Sequence, residues 1–206
     1  MNEMTSTLFN RYLDHAVKFH GHLCGGQVVG VRMAMAGLRE LGIEDPRGSQ
    51  GRNLVIFIEI DRCAADAIIS VTGRTPGKRS IKIMDYGKMA ATFVDTGTGR
   101  AVRVSIRPDS NQKISEMKQC RMPEKDEKSA TIEALAAIPE KELLMIRQVR
   151  ITIRPQDLPG ESLNSTVCTS CGETVRDMRE TYREGKALCR PCAENKAYYE
   201  EIKENL

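Results

Sequence analysis

Asn53-Leu54-Val55-Ile56-Phe57-Ile58-Glu59-Ile60 is apolar almost throughout, and Asp61-Arg62-Cys63-Ala64-Ala65-Asp66 follows it directly. A short apolar run without polar alternation reads as a strand buried on both faces. The alanine-rich stretch over about 63–72 predicts a short helix, and a second strand is expected around 80–86. Cys63 therefore stands at the end of a buried strand, where chain turns tend to carry reactive groups.

Upstream, Leu8, Phe9, Tyr12, Leu13, Ala16 and Val17 recur at helical spacing and predict a helix over 6–18. The glycine-rich break Gly21 to Gly26 leads into a second helix over about 26–41, rich in small residues and Met, with Gly42 as its stop signal. Downstream, 90–95 and 101–107 flank Thr96-Gly97-Thr98-Gly99-Arg100 and read as a hairpin. Residues 123–147 read as helical and charged, and 148–154 alternates like a further strand. The segment Arg154-Pro155-Gln156-Asp157-Leu158-Pro159-Gly160 is rich in breakers. The expected organisation is an α+β core domain over 1–154, a mixed or antiparallel sheet packed with helices. A linker over 155–164 and a small domain over 165–206 follow it.

The small domain holds Cys168, Cys171, Cys189 and Cys192 in the pattern C-x2-C-x17-C-x2-C. Two cysteines separated by two residues can aim both sulfurs at one ion from a single turn, and two such pairs suit tetrahedral zinc. Cys192 opens an amphipathic stretch to Glu200, so the second pair is expected at a helix N-terminus, where the dipole favours thiolates. Two disulfides or buried thiols are the alternatives. Met1-Asn2-Glu3-Met4 is polar and no apolar run follows it, so no leader is expected. No stretch approaches the length of a membrane span, and the expected location is the cytoplasm, where disulfides are disfavoured.

With 206 residues and 40% hydrophobic content there is material for one ordinary core and an appendage, although aromatics make up only 4% and Trp is absent. The net charge is +3 overall. Residues 161–206 carry seven Lys/Arg against nine Asp/Glu, a balance of −2 that leaves +5 for residues 1–160. A module that gripped DNA would be clearly basic, so nucleic acid is not the expected partner.

A second constellation is Phe19-His20-Gly21-His22-Leu23-Cys24-Gly25-Gly26. In an extended segment His20, His22 and Cys24 point to one side and could converge on a metal, and a helix N-terminus after Cys24 would lower its thiol pKa. Equally, His-Gly-His can be a turn whose imidazoles bond backbone carbonyls, with Cys24 a small buried hydrophobe. His15 reads as a surface or packing residue and Cys120 as an ordinary free thiol. Gly73-Arg74-Thr75-Pro76-Gly77-Lys78-Arg79-Ser80 is not a phosphate loop: only three residues separate its glycines, and Arg79 intervenes between Lys78 and Ser80.

Four segments in order, His20-Gly21-His22-Leu23-Cys24-Gly25-Gly26, Asp61-Arg62-Cys63-Ala64-Ala65-Asp66-Ala67-Ile68, Thr72-Gly73-Arg74-Thr75-Pro76-Gly77-Lys78 and Asp85-Tyr86-Gly87-Lys88-Met89-Ala90, resemble the FmdE family, named for formylmethanofuran dehydrogenase. The resemblance covers about residues 10–110, and the tail resembles the treble-clef fingers appended to that family's core. It implies a dimeric α+β core whose His20, His22, Cys24 and Cys63 line one metal-binding cleft, with Lys78, Asp85 and Lys88 as polar residues near it. Gly25 stands where the family motif usually has proline, and Arg74 where many members carry a further cysteine.

The functional expectation is a metal-binding protein with a structural Zn2+ in the tail and a second transition metal in the core. The resemblance, to a family associated with molybdenum or tungsten formylmethanofuran dehydrogenase, implies an accessory or subunit-like partner of such an enzyme. A stand-alone metal-dependent enzyme and a zinc-finger regulator contacting nucleic acid or transcription machinery are the alternatives.

Overall fold

The structure is a computed structural model and describes residues 3–200 and 202. It divides into two compact units, residues 1–152 and 153–206.

The first unit begins with two helices, α1 (Glu3–His20) and α2 (Gly25–Leu41). β1 (Leu54–Ile58), α3 (Cys63–Thr72), β2 (Ile81–Ile83), β3 (Ala90–Asp95) and β4 (Arg100–Ile106) follow. It ends with α4 (Ser110–Arg121), α5 (Glu127–Ala137), α6 (Glu140–Leu143) and β5 (Leu144–Val149). The strands form one sheet in the order β2-β1-β3-β4-β5. β1 and β2 run parallel through the α3 crossover, and the other neighbours are antiparallel. This is the mixed sheet of an α+β unit. β1 lies between two partners, Ile56 pairing with Ile81 on one side and Phe93 on the other. Leu54, Val55, Ile56 and Ile58 are fully buried, which is why the run carries no polar alternation.

α2 is buried along most of its length. It can lie this deep because its small residues let α3 come close. A Cβ on Gly30 would sit 2.7 Å from the Ala64 carbonyl oxygen and 2.7 Å from Ala67 Cβ; one on Gly26 would sit 2.7 Å from Cys63 Cβ. No side chain larger than hydrogen fits at that spacing. The start of α2 is thereby pressed against the start of α3.

The structure departs from the sequence-based expectation between 108 and 154. α4 was not foreseen. Residues 123–147 do not make one helix: Ile138 precedes Pro139 and adopts φ −57°, ψ 136°, ending α5. A residue before proline is driven out of the helical region. The last strand is Leu144–Val149 rather than 148–154, because Leu144 to Val149 take up the free edge of β4 in register from Ile106 to Ala101.

In the second unit β6 (Ser165–Val167) and β7 (Thr174–Arg176) form one hairpin, and β8 (Thr181–Arg183) and β9 (Lys186–Leu188) another. The second hairpin runs through Cys189 into α7 (Arg190–Glu194). Knuckle, hairpin and helix in this order make a treble clef. The final helix spans five residues rather than the stretch to Glu200, because Asn195 turns left-handed at φ 50° and the Lys196 N–H bonds back to the Pro191 carbonyl. Among the described residues beyond 152, the buried hydrophobic positions are Cys168 and Ala193.

Candidate metal centres

In the second unit the Cys168-x-x-Cys171 turn caps the first hairpin, while Cys189 and Cys192 flank the start of α7. The four sulfurs all lie within 4.8 Å of one another, with Cys171 Sγ 3.8 Å from Cys189 Sγ. A tetrahedron of thiolates about 2.3 Å from one ion has edges of about 3.8 Å, so the donor set fits a metal. Backbone N–H groups at Cys171 and Cys189 pull the Cys168 thiol down to about 6. With that charge in place the neighbours resist a second one. Cys171 is pushed up, although the Glu173 backbone N–H favours its thiolate, by Cys168, burial and Cys189. Cys189 is pushed up too, against the Cys192 backbone N–H, by burial and by the Cys192 and Cys168 side chains. A divalent cation would relieve that repulsion.

In the first unit three helix ends meet. α1 ends at His20, where the Gly21 N–H still reaches the Val17 carbonyl at 2.8 Å. Cys24 is the extended residue that opens α2, and Cys63 is the first residue of α3. The ligand atoms of His20, Cys24 and Cys63 lie within 4.8 Å of one another. His22 is not among them; it is exposed, with its ring centroid 4.6 Å from that of His20. The alternation expected for an extended segment is lost because residue 20 is still helical and residue 22 sits in the bend beyond.

Asp66, which the sequence alone did not single out, fixes the histidine. Its Oδ2 lies 2.7 Å from His20 Nδ1, while His20 Nε2 is buried with no hydrogen-bond partner. A carboxylate on Nδ1 selects the tautomer whose Nε2 lone pair is free, the second-sphere arrangement of metal-binding histidines. The orphaned nitrogen beside two thiols is the observation that fits a metal here. Asp66 lies one turn after Cys63, so the i, i+3 relation on a helix was the signal available in the sequence. Gln27 is the second unforeseen member. It is fully buried, donates from Nε2 to the Cys63 carbonyl at 2.6 Å, and leaves its Oε1 unpartnered. Burial, together with the nearby Cys24 thiol, pushes the Cys63 thiol up despite its place at a helix N-terminus.

The strand-to-helix link ahead of Cys63 is held from both sides. Glu59 receives a two-point ion pair from Arg103, at 2.6 and 2.7 Å, and its carbonyl accepts the Tyr86 and Lys88 N–H groups at 3.0 Å. Asp85 and Lys88 therefore belong to the loop at the Cys63 end of the sheet. Lys78 does not. It precedes β2, beyond the far end of α3, which spans ten residues and so about 15 Å. Arg74 lies in that same distant loop, where its Nη1 donates to the Gly51 carbonyl at 2.9 Å.

No helix among the described residues is long and apolar enough to cross a membrane. Residues 19–152 match the model of the family described as FmdE, molybdenum formylmethanofuran dehydrogenase operon. A protein of Archaeoglobus fulgidus described as a "Probable S-adenosyl-L-methionine-binding protein" is 35% identical over 104 residues, which are 50% of this chain and 28% of that protein. The chain thus spans little more than a quarter of that relative. A crystal structure of a tungsten formylmethanofuran dehydrogenase FmdE-like protein from Syntrophus aciditrophicus superposes with a TM-score of 0.61 at 20% identity, covering 93% of this chain and 95% of that one. At that identity the likeness establishes the fold. The family match takes in more than half of the chain, including His20, Cys24, Cys63 and Asp66, and this protein belongs to the FmdE family.

Proposed function

We propose that the protein is a cytoplasmic metal-binding accessory of a molybdenum or tungsten enzyme, with a transition metal at His20, Cys24 and Cys63 and a structural zinc at the four tail cysteines. The observation that carries the core site is the buried, unpartnered His20 Nε2, oriented by Asp66 beside two thiols. Three protein ligands leave a coordination position for an exchangeable group, whereas four thiolates close theirs. The accessory role draws support from the family description and from apolar exposure around the same end of the sheet. Phe19 and Leu23 flank the histidine–cysteine segment, and Met84 and Tyr86 follow β2 in the loop tied to Ile58 and Glu59. Exposed apolar side chains there suit a protein partner, including a second copy of this chain. The balance of −2 in the tail region favours this reading over a nucleic-acid regulator.

The open position also favours a second reading, in which the core metal activates a bound molecule without a partner enzyme. S-adenosyl-L-methionine binding is not carried over, since the matched segment is a minor part of the relative that bears that name.

Metal analysis tests the site. We expect about two metal equivalents per chain, falling to about one in Cys24→Ser/Cys63→Ser. One equivalent in both proteins would remove the core metal. Affinity capture from a host with molybdenum or tungsten enzymes then separates the roles. Recovery of such an enzyme supports the accessory reading, and turnover by the isolated chain that is lost on Cys63→Ser supports the second.

A further inference from the structure

Beside the core metal site lies a cavity of about 420 Å3 that the metal chemistry does not use. Its size falls in the range of small-molecule pockets. One side of its wall is Gly25 and Gly26, and this places it against the metal cluster. A Cβ on Gly25 would lie 2.9 Å from Leu135 Cδ1, in direct contact along the same end of the wall, and one on Gly26 would lie 2.7 Å from Cys63 Cβ, behind it. The first turn of α2 therefore separates the cavity from the thiols by the thickness of a glycine backbone.

The rest of the wall comes from α4 and α5. Asn111, Ile114, Ser115 and Lys118 stand at i, i+3, i+4 and i+7 on α4, and Glu127, Thr131 and Leu135 at i, i+4 and i+8 on α5, so each helix turns one face to the cavity. The faces are graded. Leu135, Val29, Met89 and Ile106 make the end near Gly25 apolar. Eight residues back along α5, about 12 Å away, the wall is polar. There Lys118 Nζ donates to Glu127 Oε1 and, at 3.3 Å, to Thr131 Oγ1. Its side chain is 18% exposed, and of its three N–H donors the third has no partner among the described residues.

We propose that this cavity binds a small amphipathic carboxylate, its head on Lys118 and its apolar body directed toward Gly25. An ammonium with one N–H to spare, one turn from the Ser115 hydroxyl on the same helix face, supplies donors for one carboxylate. Glu127 already neutralises part of the lysine charge, so a singly charged head is matched better than a phosphate. The apolar end stabilises a hydrocarbon body at about 25 cal/mol per Å2 removed from water. The link to chemistry, a ligand body ending one helical turn from the metal, rests on the reading of the core site given above; the pocket itself does not.

The test uses the full chain with labelled Met, Ile and Leu methyl groups, titrated with octanoate and, separately, with 1-octanol. We expect saturable shifts of the Met89, Ile106, Ile114 and Leu135 methyls. Lys118→Met should weaken octanoate about tenfold or more and 1-octanol less than twofold. Ser115→Phe, at an exposed helix position that tolerates substitution, should fill the cavity and abolish both. Shifts that do not saturate, shifts centred on the exposed Leu23 and Met84 methyls instead, or equal losses for acid and alcohol in Lys118→Met would overturn the proposal. Repeating the octanoate titration on Cys24→Ser/Cys63→Ser separates the two readings. Saturation there shows a pocket that stands without the core metal, and two metal equivalents in the unmutated chain with no saturable shift shows a core metal without the pocket.

Discussion

The two thiol clusters of this protein are built in opposite ways. Around His20, Cys24 and Cys63, position comes from packing: the starts of α2 and α3 are pressed together at Gly26 and Gly30. The hydrophobic cluster behind them runs from Phe9 to Leu144. Each fully buried Val, Leu or Ile there contributes about 1.5–3 kcal/mol. Around Cys168, Cys171, Cys189 and Cys192 the strands are three residues long, and among the described residues the buried hydrophobic positions are Cys168 and Ala193. A segment of this size without its own apolar core needs a metal or a covalent staple. In the tail a bound metal would take the place of a core; in the first unit the core shapes a site that could hold one. A site that keeps its shape when empty can leave a coordination position free for another ligand.

The sharpest way to break this contrast is to remove the tail ligands. Cys168→Ser/Cys171→Ser should abolish the tail's structure, since apparent binding energies of structural zinc run to about 10–16 kcal/mol. Amide spectra should show residues 165–195 collapsing to unfolded shifts, while the thermal transition of residues 3–152 moves by less than about 3 °C. Loss of both transitions together would show that the first unit is not self-supporting.

A smaller effect is expected at Asp66. Asp66→Asn keeps the shape but removes the carboxylate from His20 Nδ1. Core metal affinity should fall about 10–100-fold, read by competition with a chromogenic chelator, with the first unit's melting temperature and the tail metal unchanged. Unaltered affinity would mean that the histidine is oriented by packing alone.

The smallest effect concerns the tail's side-chain clamp, Asp157 between Arg154 and Arg179. Burial raises the Asp157 pKa, but the hydrogen bonds from Arg154 and Arg179 outweigh it and hold the carboxyl below its usual value. A group depressed on folding stabilises above its unfolded value, near 3.9, and that contribution is lost only as pH falls through the lower folded value. Asp157→Asn should therefore cost the metal-loaded tail about 1 kcal/mol, no more because both arginines are largely exposed. The cost should be constant from pH 8 to pH 5, measured by denaturant unfolding. A cost that fades within that range would contradict the depressed carboxyl. One much larger than this would show the tail to rely on side chains more than on its metal.

Local pattern carried much of this structure. The apolar run at 53–60 read as an inner strand and the segments 26–41 and 63–72 as helices, each followed by a glycine stop at Gly42 or Gly73, because period and turn chemistry act within a few residues. The region 108–154 was misread where distant partners decide. Leu144 to Val149 are as compatible with helix as with strand until the open edge of β4 is present to pair with them. α4 and α5 show little apolar periodicity because each turns part of a polar face into a cavity.

The sequence by itself determined that two pairs of cysteines could each reach one ion, since two intervening residues bring the sulfurs of a pair together whatever surrounds them. It also carried the ordered motifs that mark the family. Only the tertiary structure decided which residues share the core cluster. His22 and Lys78 sit in or beside matching motifs, yet a bend after α1 turns His22 outward, and the length of α3 carries Lys78 to the opposite end of the sheet. Gln27 enters instead because a glycine seam presses the starts of α2 and α3 together, and Asp66 because α3 also packs against α1, whose last residue is His20.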